Sequence, residues 1–115
     1  MHEYSIVSSL LATAEAKARE HAATSIRRVA VRIGELSGVE PDLLISAFEL
    51  AREGTLCSEA SLEVERVPVS WACRRCARPI APGEILRCPD CGSPAKLVSG
   101  DEILLAQLEL EVADV

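Results

Sequence analysis

Two Cys-x-x-Cys motifs constrain this chain more than any other feature of its sequence. Cys73 and Cys76 form the first motif, Cys88 and Cys91 form the second, and eleven residues lie between them. Each motif can turn two thiolates toward one point, and the two together supply the tetrahedral set of soft ligands that suits zinc. Four protein ligands leave no open coordination position. We therefore expect a closed, structural Zn(II) site.

The segment around these cysteines, residues 70–96, is rich in proline and glycine and poor in aliphatic residues. A segment so small and polar cannot build its own core, so metal binding would have to fold it. Two disulfides, an iron–sulfur cluster and a dithiol redox centre are the alternatives. The tight pairing in a chain without a secretion signal disfavours disulfides. A redox motif is single and opens a helix, unlike this pair.

The remainder of the chain shows alternating helical and strand periodicities. Residues 3–21 carry apolar side chains four apart, which predicts an amphipathic helix. Residues 28–33 alternate with period two and predict a strand. Pro41, flanked by two acids, marks the start of a second helix that closes at Gly54. Residues 62–65 and 108–112 predict two more strands, and their acidic faces complement the basic face formed by Arg28 and Arg32.

These elements predict an α+β fold in which two helices pack on one face of a small three-stranded sheet. The four-cysteine segment would be inserted between the last two strands of that sheet. We therefore expect two domains: residues 1–69 with 97–115 form an α/β domain, and residues 70–96 form a zinc-knuckle domain of zinc-ribbon type.

Charge and hydropathy limit the classes of partner. The 115 residues carry 18 acidic and 12 basic side chains, a net charge of −6, which argues against nucleic acid and anionic membranes as partners. The cysteine segment is only weakly basic once zinc and four thiolates are counted. No apolar stretch approaches the length of a membrane span, so we expect a soluble, cytoplasmic protein with no membrane insertion. No phosphate loop, nucleophile elbow or catalytic carboxylate pair is present, so we expect no enzyme.

The N-terminus holds a second set of candidate ligands. The α-amine of Met1 and the amide and imidazole nitrogens of His2 can close chelate rings on one ion, and Glu3 can add an amide or carboxylate. Nitrogen-rich planar sets of this kind suit Ni(II) or Cu(II). The alternatives are a solvated imidazole at His2 and an acid in the first helical turn at Glu3. His21 is expected at the end of the first helix, and Cys57 is expected to be buried.

Four motifs together make the chain resemble the HypA/HybF family of hydrogenase-maturation nickel chaperones. They are the opening MHEYS, the run VRIGELSGVEP, the pair of Cys-x-x-Cys motifs, and the closing GDEILLAQLELE. The resemblance spans essentially the whole chain. Two departures are visible: no histidine flanks the cysteines, which argues against a pH-sensing zinc domain, and Ala77 follows Cys76 where glycine often stands.

The resemblance implies a protein that carries Ni(II) to the large subunit of nickel–iron hydrogenase together with the GTPase HypB. It implies nickel binding centred on His2, with nearby backbone nitrogens and Glu3, and zinc binding by the four cysteines. It leaves a monomer and a homodimer equally open, and a role in urease maturation as well. The competing function is a zinc-ribbon adaptor that binds protein or nucleic acid without handling nickel.

Overall fold

The computed structural model describes residues 2–113, and for His2 it describes the backbone but not the side chain. The described chain forms α1 (His2–Glu20), β1 (Ala23–Gly34), α2 (Pro41–Ala51), β2 (Ser61–Val67), β3 (Ser70–Cys73), β4 (Pro79–Ile80), β5 (Ala95–Ser99) and β6 (Ile103–Val112). The strands form two three-stranded sheets, ordered β2-β1-β6 and β4-β3-β5. The predicted α+β class with two helices is confirmed. The second sheet, within the cysteine segment, was not predicted.

The larger sheet has β1 at its centre. β1 runs parallel to β2, and α2 makes the crossover between them, whereas β6 returns antiparallel on the other side. The predicted alternation of β1 is confirmed, because Val29, Val31 and Ile33 are buried. Their face packs against apolar stripes of both helices, which supply the buried residues Val7, Leu10, Leu11, Ala14, Ala18, Leu44 and Phe48.

The opposite face of this sheet is charged, as the sequence predicts. Arg28 of β1 lies 2.9 Å from Glu63 of β2 and 3.1 Å from Glu109 of β6. Arg32 pairs with Glu65 of β2 at 3.0 Å. These pairs are partly or largely exposed, so solvent screens them and each contributes little to stability. They help to fix the register of the three strands more than they stabilise the fold.

The loop after β1 is bonded to both segments that lead to and from the second sheet. Gly34 approaches Gly100 so closely that a Cβ on Gly34 would lie 2.2 Å from the Gly100 carbonyl carbon. The Leu36 amide donates to the Gly100 carbonyl at 2.6 Å, and the Val69 amide donates to the Glu35 carboxylate at 2.8 Å. The chain therefore enters and leaves the second sheet at the carboxyl end of β1.

The first helix begins at this same end of the sheet. Only His21 and Ala22 separate α1 from β1, so the helix runs back along the strand in the opposite direction. β5 continues to Ser99, past the predicted boundary at residue 96, and the division into two domains stays a prediction. Within residues 2–113 no helix is long and apolar enough to cross a bilayer.

Candidate metal centre

The four cysteines of the two motifs converge on one point. The Sγ atoms of Cys73, Cys76, Cys88 and Cys91 all lie within 4.8 Å of one another. Cys91 Sγ is 3.5 Å from that of Cys73 and 3.3 Å from that of Cys76. A tetrahedral ion with metal–sulfur bonds of about 2.3 Å requires sulfur–sulfur separations of about 3.8 Å. The cluster therefore has the dimensions and the donor chemistry that suit zinc.

Each motif folds as a tight turn that points its two sulfurs inward. In the first turn, the amides of Arg75 and Cys76 donate to Cys73 Sγ at 3.3 and 3.2 Å. Hydrogen bonds of this kind stabilise negative charge on a sulfur, because an amide dipole points at it. Cys73 and Cys88 are buried, whereas Cys76 and Cys91 are exposed. The site therefore lies at the surface with two of its ligands facing solvent.

The residue after each motif adopts a left-handed backbone conformation. Ala77 has φ +61° and Gly92 has φ +74°. Their amides donate back to the first cysteine of each motif, Ala77 to the Cys73 carbonyl at 3.0 Å and Gly92 to the Cys88 carbonyl at 2.9 Å. Glycine adopts this conformation freely, whereas a Cβ makes it costly. The alanine noted in the sequence therefore leaves the ligand set intact and introduces local strain.

Two of the four thiols have pKa values that are shifted in opposite directions. Hydrogen bonds from Ser93, from its side chain and from its backbone, lower the pKa of Cys91 to about 6. Hydrogen bonding with Cys91 and Cys73 raises the pKa of Cys76 to about 12. Four thiolates so close together would repel one another, so Cys76 keeps a proton unless a cation compensates the charge. A bound metal ion would supply that compensation.

An ion pair joins the two turns, and no sequence pattern indicates it. The Arg78 guanidinium, just after the first turn, forms an ion pair with Asp90, which lies inside the second Cys-x-x-Cys motif. Ser93 lies two residues after Cys91, within the second turn, and lowers the pKa of the Cys91 thiol. The Arg78–Asp90 pair has no fixed spacing that a sequence pattern could reveal, and it becomes visible only once the two turns face each other.

The N-terminal candidates are only partly described. Met1 and the side chain of His2 lie outside the described residues, whereas Glu3 is half-buried in the first turn of α1. The Glu3 carboxylate accepts a long hydrogen bond of 3.5 Å from the Glu40 amide, at the start of α2. Glu40 makes no side-chain capping bond with its own helix. The sequence marked Glu40 only as a helix start, and the fold brings it beside Glu3.

The two remaining candidates occupy their expected places. Cys57 is fully buried, and burial raises the pKa of its thiol to about 11, so it behaves as a small apolar residue. His21 is exposed and follows the last turn of α1, where its amide donates to the Ala18 carbonyl. Neither residue belongs to the four-cysteine cluster.

The fold and the cluster define a small α+β protein with a metal lobe, residues 70–99, in which four cysteine sulfurs could hold a metal ion. A family model described as hydrogenase/urease nickel incorporation, metallochaperone, HypA matches residues 1–110. The chain belongs to this HypA family, as its sequence motifs indicate.

Individual relatives match over nearly their whole length. The hydrogenase maturation factor HypA of Aquifex aeolicus is 45% identical, over 97% of this chain and 99% of the relative. The hydrogenase maturation factor HypA of Wolinella succinogenes is 42% identical, over 99% of this chain and 98% of the relative. The solution structure of the Ni metallochaperone HypA from Helicobacter pylori is 36% identical and superimposes with a TM-score of 0.74, covering 96% of this chain and 98% of that one.

Proposed function

We propose that this protein binds Ni(II) at its N-terminus and delivers it to the large subunit of nickel–iron hydrogenase. Membership of a family of nickel-incorporation metallochaperones supports the cargo and the hydrogenase. The ligands are the Met1 amine, the amide and imidazole nitrogens of His2, and Glu3. The observation that carries this assignment is the contact between Glu3 and the start of α2, which gathers acidic residues at the N-terminal end.

The charge at this end favours a cation despite two helix N-termini. Helix N-termini carry partial positive charge and by themselves attract anions. Here α1 carries Glu3 in its first turn, and α2 is preceded by Glu40 and carries Asp42 in its first turn. The negative charge of these three carboxylates exceeds the positive charge of the two helix N-termini, which is about half an elementary charge for each helix. The nitrogen ligands then select Ni(II) over the harder ions that carboxylates alone would bind.

The second metal has a different role. We assign Zn(II) to Cys73, Cys76, Cys88 and Cys91, whose sulfurs form the cluster described above. Four thiolates saturate a tetrahedral ion, so this zinc would support the fold of the lobe without activating water. A nickel ion at the chain terminus, held by few ligands, could exchange them one at a time. The closed site suits a structural metal, and the open one suits transfer.

The proposed partners follow from the same function. The large subunit would accept nickel, and the maturation GTPase HypB would act with this protein before transfer. Both steps would take place in the cytoplasm, with the chaperone as a monomer or a homodimer. Nickel delivery to urease is compatible with the description of the family.

Extending the chain at its N-terminus tests the ligand assignment. One glycine placed before Met1 moves the α-amine away from His2, whereas one glycine added after Val115 leaves the N-terminus unchanged. Isothermal titration of nickel into the zinc-loaded proteins should show at least a tenfold loss of affinity for the first variant only. Equal affinities would remove the amine from the site.

Delivery itself is tested by following radioactive nickel. Protein loaded with the isotope is mixed with purified, nickel-free hydrogenase large subunit, and the two are separated by size. We expect nickel to move to the large subunit from the unmodified protein, and faster when HypB and GTP are present. Retention of nickel by the chaperone under both conditions would contradict a delivery function.

A further inference from the structure

The last strand of the larger sheet, β6, is only partly covered by the helices. The strand order β2-β1-β6 places it at an edge, and within residues 2–113 only β1 pairs with it. None of its ten residues is buried, whereas β1 and β2 both carry buried residues. The backbone amides and carbonyls along the outer side of β6 are therefore open to a further strand.

The last six residues of β6 form a regular stretch of this edge. Ala106 is an extra residue in the pairing with β1, and the other irregularities of that pairing are extra residues in β1. From residue 107 to residue 112, side chains therefore alternate between the two faces of the sheet. Leu108, Leu110 and Val112 lie on the face that carries α1. The first two are half-buried, and Val112 is 51% exposed.

A cleft runs along this stretch, between β6 and the last turns of α1. It has a volume of about 250 Å³, and Leu108 and Leu110 form part of its apolar wall. Lys17 and His21 line it from the side of the helix. Lys17 lies 3.6 Å from Glu20, which offsets its charge. Aliphatic side chains of an added strand could enter this cleft and cover the two leucines.

The other face of the same stretch is acidic. Glu109 and Glu111 are exposed on it, two residues apart. Arg28 of β1 pairs with Glu109, but it is shared with Glu63 of β2. Arg27 lines a depression together with Glu111, yet Glu111 forms no ion pair within residues 2–113. The two glutamates at this edge therefore carry more negative charge than β1 compensates.

We propose that the edge of β6 binds an extended, basic segment of a partner protein, which adds to the sheet as a fourth strand. Aliphatic residues on one face of the segment would cover Leu108, Leu110 and Val112. Lysine or arginine residues on its other face would lie opposite Glu109 and Glu111. The sheet already follows this rule, because the basic face of β1 lies between the acidic faces of β2 and β6.

A second copy of β6 is a poorer occupant of this edge, because it would bring together two strands that both carry Glu109 and Glu111. The basic and aliphatic strand of this chain, β1, is already paired on both sides. The segment therefore belongs to another protein. Val112 pairs with Ala23 at the start of β1, whereas α1 begins at the opposite end of the sheet. The proposed surface is thus separate from the proposed nickel ligands.

Peptide binding tests the proposal on the zinc-loaded full-length chain, with fluorescence anisotropy as the readout. The probe is a fluorescein-labelled peptide of sequence GTVRVKVTG, and its uncharged match is GTVQVQVTG. Two further versions of the probe carry methyl groups on backbone amides, one at the three valines and the other at the arginine and the lysine. Successive amides of a strand point to opposite sides, so only one of these two sets can bond to β6.

Two pairs of variants locate the binding surface. Glu111→Lys is matched by Glu49→Lys, which changes an exposed glutamate on α2. Val112→Ser is matched by Leu50→Ser, because Leu50 is 79% exposed but also lies on α2. Glu111→Lys and Val112→Ser should each weaken binding of the basic peptide at least fivefold, and the matched variants should bind it as the unmodified protein does.

We expect the basic peptide to bind at least tenfold more tightly than the uncharged one, and less tightly as salt increases. One methylated peptide should lose binding and the other should retain it. Equal binding of the basic and uncharged peptides, an equal effect of the two methylation patterns, or no effect of Glu111→Lys would overturn the proposal. A dimer of this chain that the peptide dissociates would also overturn it, by showing a second copy at this edge. None of these measurements involves nickel, so their outcome is independent of the proposed delivery function.

Discussion

The residue after each cysteine motif has a left-handed backbone conformation. Substitutions at these two positions should change the zinc affinity in opposite directions. Replacing Ala77 by glycine should strengthen zinc binding, and replacing Gly92 by alanine should weaken it. Ala77 has φ +61° and Gly92 has φ +74°, so both backbones require a conformation that a Cβ penalises. A Cβ built on Gly92 meets no atom within 4 Å, so the second substitution introduces conformational strain alone.

The expected magnitude combines two opposing terms. Relieving the left-handed strain at Ala77 gains about 1–2 kcal/mol. The greater freedom of glycine in the unfolded lobe offsets about 0.4–1 kcal/mol of that gain. The net change of about 0.5–1 kcal/mol should appear in zinc affinity, because a lobe with so small a core folds when it binds its metal. This free energy corresponds to roughly a two- to fivefold change in the zinc dissociation constant.

Competition with a chromophoric chelator measures this change directly. Ala77→Gly should lower the zinc dissociation constant, Gly92→Ala should raise it by a similar factor, and the double variant should lie close to the unmodified protein. Gly54→Ala is the control, because Gly54 has φ +77° with open space around it but lies outside the metal lobe. Weaker zinc binding by Ala77→Gly would show that the alanine does not strain the first turn.

Three further predictions concern other parts of the molecule. Gly34→Ala should lower the melting temperature of the zinc-loaded protein by several degrees more than Gly38→Ala, because only the first substitution places a Cβ against the backbone of Gly100. Equal melting temperatures of the two variants would contradict the close approach of Gly34 to Gly100. Cys57 should resist iodoacetamide at pH 7.5 in the folded, metal-loaded chain and react faster as the pH rises toward about 11, which mass spectrometry can follow; rapid labelling at pH 7.5 would contradict its burial. Removing zinc with a chelator should raise hydrogen exchange across residues 70–99 and leave the helices protected, whereas uniform loss of protection would show that the lobe stabilises the body.

The larger sheet and its helices were predictable because their periodicities are long and regular. β1 alternates cleanly over its buried half, and the helix starting at Pro41 has both its proline and its acids in place. The last strand, β6, was harder to predict from the sequence. Ala106 is an extra residue in the pairing of β6 with β1, so Leu105 and Leu108 both face α1 although they are three apart. This bulge breaks the alternation, and the sequence therefore predicted only residues 108–112 of a strand that begins at Ile103.

The smaller sheet was not predictable from periodicity. Its strands contain four, two and five residues, too few to show a repeat, and the cysteines alone indicated that the segment folds. The cluster itself was predictable, since paired Cys-x-x-Cys motifs have a fixed geometry. The proximity of Glu40 to Glu3 was not, because it depends on how α1 runs back along β1.

The two histidines of this chain provide the most direct test of nickel binding at the N-terminus. His2 is the proposed ligand, and His21 lies on the surface at the opposite end of α1. Nickel is titrated into zinc-loaded unmodified protein, His2→Ala and His21→Ala, with binding followed by calorimetry. We expect one nickel ion per chain for the unmodified protein and for His21→Ala, and at least a tenfold loss of nickel affinity for His2→Ala. Full nickel affinity in His2→Ala would show that His2 is not a nickel ligand.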